Sequence, residues 1–273
     1  MKKSKILRNL IIKSLLICLV GTFSFFTFSS VDENIQIKQE INDFKKNSSF
    51  YCYSQKYNTN FYIVHNNNIS NTSTSPSFSI VNEEIYPGYN GDILCSLKNE
   101  HYNKVVSSLF SFYFGGHAAL VCNGEKLFQT TGYSPTKENY ATYDENNWLY
   151  NHDIRFNYVG LKINVSQEEK DLVVKESIKL QYKPYNFLFI INNKNAYYCT
   201  DLIERLYKEY TKVNLNEDEI IVSVQDIIVS SYSSIFLYKE LNPISKENRD
   251  NNLGDYNMYF LDDGNDYLNY LSK

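Results

Sequence analysis

Cys199 and His117 are the two residues of this chain with the chemistry and the setting of a nucleophile and its base. Cys199 opens an amphipathic stretch, with Leu202, Ile203, Leu206, Tyr207 and Tyr210 following at helical spacing. A helix start offers unpaired backbone N–H groups and the positive end of the helix dipole, both of which favour thiolate over thiol. A small apolar residue closing a core accounts for Cys199 equally well, since the thiol shares its face with Leu202, Ile203 and Leu206. His117 follows Gly115 and Gly116 and heads the apolar run Ala118-Ala119-Leu120-Val121-Cys122. Two glycines admit a close approach by another backbone or by a substrate, and a base at a strand head is held rigidly. A satisfied histidine at the rim of a core is the plain alternative. His65, His101 and His152 stand in polar surroundings and are expected to be solvated, while Cys95 and Cys122 sit in strand-like runs as small buried hydrophobes.

Other chemistries lack their residues. There is no HExxH, no CxxC pair and no tight cluster of acidic residues and histidines, so neither a metal nor a cofactor is expected. A GxSxG elbow and a phosphate-binding glycine loop are absent as well. The net charge of −4 argues against a nucleic-acid partner, which favours a basic face.

The elements that must position the two residues read as a mixed α+β chain. Ile93-Leu94-Cys95-Ser96-Leu97 reads as a strand after the turn-rich Pro87 to Asp92, with a short helix over 101–114. Ala118–Cys122, the turn Asn123-Gly124 and Lys126–Thr131 make a hairpin. Gly132 to Trp148 reads as a long loop and Ile154 to Val165 as a strand pair. Ser166-Gln167-Glu168-Glu169 is a capping box opening a helix to about Tyr182, which Pro184 ends. The Cys199 helix comes next, followed by a strand and turn over Ile220 to Ile228 and a closing strand from Ser234 to Leu241.

Lys2, Lys3, Lys5, Arg8 and Lys13 precede an uncharged run from Ser14 to Val31. That is the pattern of an export signal, and the run is also long enough for an uncleaved anchor. The expected organisation is therefore a signal peptide or membrane anchor over 1–30, then a low-complexity tether over 31–85 carrying a β-hairpin from Phe50–Tyr53 and Phe61–Val64. A single domain over 86–241 follows, then an acidic, Asn- and Tyr-rich tail over 242–273. An exported address permits disulfides, but the spacing of Cys52, Cys95, Cys122 and Cys199 suggests no pairing.

Three segments in order resemble the circularly permuted papain-like (NlpC-type) cysteine hydrolases, in particular their YiiX/YebB-like branch. They are Gly91-Asp92-Ile93-Leu94, Gly116-His117-Ala118-Ala119-Leu120-Val121 and Tyr197-Tyr198-Cys199-Thr200-Asp201-Leu202-Ile203. Val224-Gln225-Asp226-Ile227 is similar to a further segment of that branch, with Val224 where a proline is usual. The resemblance spans roughly Tyr86 to Tyr238, and the order histidine before cysteine is what permutation produces. It implies an antiparallel sheet packed on helices, one of which carries the nucleophile. It also implies Cys199 as nucleophile and His117 as general base. The third polar residue, often a glutamate that orients the imidazole, falls on Gln129. Gln129 can fix the ring tautomer but brings no charge to an imidazolium. The backbone N–H of Cys199 would hold the oxyanion, with Tyr185 or Tyr198 as a second contact or pocket wall. The implied activity is hydrolysis of an amide or peptide bond, cell-wall peptide included, through an acyl-enzyme. A lipid acyl hydrolase or acyltransferase of the same fold is the alternative, membrane-associated through the N-terminal segment. A surface-binding module without catalysis is the other, motivated by Gln129.

Overall fold

The computed structural model describes residues 2–48, 50–54, 59–63, 78–81, 84–98, 104–132, 139–149, 157–190, 192–216 and 221–241. The expectations for His65, His101, His152, most of the Asn-rich linker and the tail lie outside these residues. The described chain forms helix α1 (Lys2–Asn47), strands β1 (Phe50–Ser54), β2 (Thr59–Ile63), β3 (Phe78–Val81), β4 (Glu84–Pro87) and β5 (Ile93–Ser96), then helix α2 (Lys104–Phe114). Next come β6 (His117–Cys122), β7 (Lys126–Thr130), β8 (Ala141–Glu145) and β9 (Tyr158–Ile163). Helices α3 (Gln167–Ser177), α4 (Cys199–Tyr210) and α5 (Val224–Val229) and strand β10 (Ser233–Leu241) complete the domain. It is an α+β architecture. Eight strands pair antiparallel in the order β1-β2-β10-β9-β5-β6-β7-β8, and β3 and β4 form a separate hairpin.

Strand parity divides the sheet into two faces. Cys95 on β5, Ala118, Leu120 and Cys122 on β6, and Phe128 on β7 enter one apolar core with Leu202, Ile203 and Leu206 of α4 and Val224, Ile227 and Ile228 of α5. Leu94, Ala119, Val121 and Leu127 alternate with these and are equally buried, so β5, β6 and β7 are covered on both sides. On the α4 side of β6 the small Ala118 lets the helix lie close against the strand. β9 meets the same demand with Gly160, above which the Phe236 ring sits 2.6 Å from where a Cβ would stand.

Four expectations change. Val31 to Asn47 is no tether: it continues α1, burying Ile37 and Ile41 in the core, with the Asn34 amide donating to the Phe112 carbonyl (2.9 Å) and Lys45 pairing with Glu240 (2.7 Å). The apolar Ile37, Ile41 and Phe44 share a helical face that charged neighbours obscure in the sequence. The described part of Ile220 to Ile228, from Ile221 on, does not form a strand and turn; from Val224 it is α5. Ser223 and Asp226 close a reciprocal capping box there, and capping with burial outweighs the strand preference of the β-branched run. The loop Gly132 to Trp148 contains β8, an edge strand on β7 with Gln129 opposite Thr142. Of the pair read in Ile154 to Val165, the described part is the single strand β9. Among the described residues no helix is long and apolar enough to cross a membrane.

Candidate active site

Helix α4 owes its position to both ends. At its C-terminal end the Tyr207 hydroxyl, buried in the core, donates to the Gly91 carbonyl ahead of β5. At its N-terminal end Cys199 is close enough to Cys95, at the other end of β5, to act on it electrostatically. Cys95 pairs with Ala118 and Ser96 with His117. The helix therefore runs alongside β6 in the same direction, and Cys199 and His117 begin their elements at the same end of the sheet.

The backbone entering α4 is fixed by the segment ahead of α5. The Val222 N–H donates to the Tyr198 hydroxyl (3.0 Å), and the Thr200 hydroxyl donates to the Val222 carbonyl (2.7 Å). Tyr198 is the N-cap, in extended conformation (φ −98°, ψ 169°), and its side chain gives no cap bond. The first N–H groups of α4 are thus left without the usual side-chain acceptor from the N-cap, which is the arrangement an oxyanion site uses. Cys199 is half-buried, whereas Cys95 and Cys122 are buried. Burial pushes the Cys122 thiol up to about 12 and the Cys95 thiol well above its usual range, so neither is a nucleophile at neutral pH.

His117 is placed by the two glycines before it. Gly115 lies in the left-handed region (φ +73°) and ends α2, its N–H donating to the Ser111 carbonyl (3.1 Å). Gly116 donates to the Ser96 carbonyl (2.9 Å) so closely that a Cβ would stand 2.6 Å from that oxygen and 2.5 Å from the Lys98 carbonyl oxygen. Both obstacles are backbone, so relief requires moving β5 or the strand head. Gly116→Ala is expected to lower unfolding stability by about 1–3 kcal/mol in urea melts, and a variant as stable as the parent would refute the close approach.

The imidazole stands on the same face as Ala119 and Gln129, at the rim of the sheet. Its Nε2 is 2.8 Å from Gln129 Oε1, and Gln129 Nε2 donates to Asp144 Oδ2 at 2.8 Å. A carboxylate only accepts, so Gln129 must turn its NH2 to Asp144 and its carbonyl to the ring. His117 then carries its proton on Nε2, and Nδ1 is the lone-pair nitrogen. The Trp148 ring lies 6.1 Å from the imidazole, tilted by 32°, and meets Tyr158 edge-on at 5.4 Å. Trp148 is held from behind, because the buried Lys239 ammonium donates to the carbonyls of Trp148 (3.1 Å) and Leu149 (3.3 Å). Burial lowers the Lys239 ammonium well below the usual lysine range.

Of the residues singled out in the sequence, His117 and Gln129 are in direct contact; Cys199 is at the same end of the sheet but opens the helix on the Ala118 side, whereas the imidazole stands on the Ala119 side. Tyr198 is built into the floor, with its hydroxyl engaged and its ring 4.9 Å from Phe189. Tyr185 is a wall residue, packed over Gly132 and 4.9 Å from Phe187. Asp144, Trp148 and Lys239 escaped the sequence reading. Asp144 and Trp148 lie in a segment read as loop, and nothing in their spacing signals that β8 carries a carboxylate to Gln129. Among the described residues no three His, Cys, Asp or Glu side chains group as a metal site.

No protein-family model matches this chain, and no curated protein does. Among solved structures, the metalloprotein YiiX of Escherichia coli O157:H7 is similar over 54% of this chain and 95% of that one, with 15% identity and a TM-score of 0.42. A likeness of that size carries no functional argument.

Proposed function

We propose that this chain is an exported thiol hydrolase of permuted papain-like design, cleaving an amide or peptide bond such as those of cell-wall peptides. The observation that carries the reading is the ordered imidazole of His117, held through Gln129 and covered by Trp148, at the same end of the sheet as the start of the Cys199 helix, where the Tyr198 side chain gives no N-cap bond. The Cys199 thiol gives its proton to His117 Nδ1 as the sulfur bonds to the substrate carbonyl carbon. The carbonyl oxygen becomes an oxyanion at the N–H groups opening α4. On collapse the C–N bond breaks, and the imidazolium returns the proton to the leaving amine. Water, deprotonated by the same nitrogen, then hydrolyses the thioester and regenerates the thiol. Export rests on the basic, then uncharged N-terminal sequence.

Iodoacetamide tests the reading without knowledge of the substrate. Cys199 is expected to alkylate faster than a free cysteine at pH 7, and His117→Ala to remove that advantage, while Cys95 and Cys122 stay unmodified in the folded protein. A Cys199 rate at or below the free-thiol value, unchanged by His117→Ala, would sink the proposal.

One observation favours the lipid alternative. An aromatic series runs from Phe26 of α1 through Phe114 (5.9 Å) to Phe189 (5.4 Å) and on to Tyr198 (4.9 Å), next to Cys199. Leu109, Phe187, Leu188 and Ile190 are exposed apolar side chains on the same elements. A fatty-acyl substrate would suit such a rim. The mass of the acyl adduct trapped on Cys199 separates a fatty chain from a peptide.

A further inference from the structure

We propose that Asp144 is a positioning residue for His117, acting through the side-chain amide of Gln129; this rests on the reading of His117 as the base. An isolated glutamine fits behind an imidazole either way round, because its oxygen and nitrogen are nearly isosteric. Turned the wrong way, its NH2 donates to Nε2, the ring proton moves to Nδ1, and the nitrogen that must accept the thiol proton is already occupied. Asp144 removes this ambiguity. Its carboxylate accepts from Gln129 Nε2 at 2.8 Å, which forces Oε1 onto the ring, also at 2.8 Å.

The sheet register builds the contact. Gln129 pairs with Thr142 and Leu127 with Asp144, so Gln129 and Asp144 are diagonal neighbours on one face, within reach of long side chains. The Gln129 side chain and its bond to the ring are buried, which spares that bond from competition with water, while the bond to Asp144 is part-buried. The carboxylate also polarises the amide, increasing negative charge on Oε1 where an imidazolium would form. A neutral residue in the usual glutamate place is therefore backed by a charge one strand further out. The device accounts for Gln129 without making the site a remnant.

The test is a pair of substitutions read in two ways. Asp144→Asn can present either end of its amide, so Gln129 is free to turn. The 15N shifts of the His117 ring should change from a dominant Nε2–H tautomer to a mixture, and iodoacetamide alkylation of Cys199 at pH 7 should slow by about tenfold, well short of the loss seen when a triad acid is neutralised directly. In a Gln129→Glu background the sign should reverse. That substitution sets a second carboxylate beside Asp144, and adding Asp144→Asn relieves the repulsion by donating an amide N–H to the new carboxylate, restoring alkylation. A merely structural Asp144 would lose the same amount in both backgrounds. Parent-like tautomer and alkylation rate in Asp144→Asn would overturn the inference and leave the Cys199–His117 reading intact. If His117→Ala leaves alkylation unchanged, the functional reading fails, while the ring shifts still judge the role of Asp144.

Discussion

Cys199→Ala is expected to abolish turnover of any amide or ester substrate, by at least ~10^4-fold, since a nucleophile removed from a catalytic unit leaves only what binding and oxyanion contacts supply. The fold should hardly notice. Cys199 is half-buried, and the start of α4 is pinned by its neighbours: Tyr198 and Thr200 bond the Val222 backbone from either side. The melting midpoint should move by no more than about 3 °C. His117→Ala should fall to a similar floor, and the double variant should be no worse than either single one, because two residues serving one proton transfer do not add. An alanine variant with parent activity would place the chemistry elsewhere. Additive losses would mean that the two side chains do not act together.

The largest effect on stability is expected from Asp92→Asn. Asp92 is wholly buried; its Oδ1 accepts from Lys170 Nζ (3.3 Å), and its Oδ2 accepts the Tyr89 N–H (2.9 Å) and lies 3.8 Å from Lys162 Nζ. Lys162 and Lys170 are themselves buried, so one carboxylate answers two ammonium groups. Neutralising it leaves both cations in the interior, a loss of about 3–5 kcal/mol, as for a broken buried pair. The pH dependence gives the mechanism away. Burial already lowers Lys162 from its ordinary value, with Asp92 opposing the shift. Without Asp92 the folded value drops further while the unfolded value stays near ~10.4. Between the two, the unfolded chain holds more protons than the folded one, so stability rises with pH. Urea melts of Asp92→Asn should therefore show partial recovery from pH 7 towards pH 10, more than the parent gains. A flat difference would show that the two lysines were not what Asp92 was neutralising.

What could be read in the sequence depended on whether a signal was local. The capping box at Ser166 and Glu169 has both reciprocal bonds, and the apolar spacing after Cys199 gives α4 its buried face. The glycines before His117 announced a close approach, and the approach is to the backbone of β5 and the segment after it. Asp92 ends the turn-rich run legible ahead of β5 and closes it by accepting the Tyr89 N–H, but its two lysines come from β9 and α3 and left no mark nearby. α5 misled because Ile221, Val222 and Val224 favour strands, although Ser223 and Asp226 stood at capping distance. Gln129 looked like a weakened site for a related reason. The missing carboxylate is supplied by Asp144 across the β7–β8 ladder, and only register reveals it.

The placement of β10 has a consequence for how the molecule comes into being. This strand lies between β2 and β9, and its Glu240 accepts both the Tyr62 hydroxyl, 178 residues earlier in the chain, and the Lys45 ammonium. The β1–β2 hairpin therefore waits for a neighbour made much later in the chain. Contacts this distant in sequence are slow to form, because their loop closure comes before any compensating gain. Until Ser233–Leu241 emerges, β2 and β9 each have an open edge, and the sheet exists as two unjoined parts. The eight-stranded sheet thus closes through its last strand in chain order, the one that both β2 and β9 require.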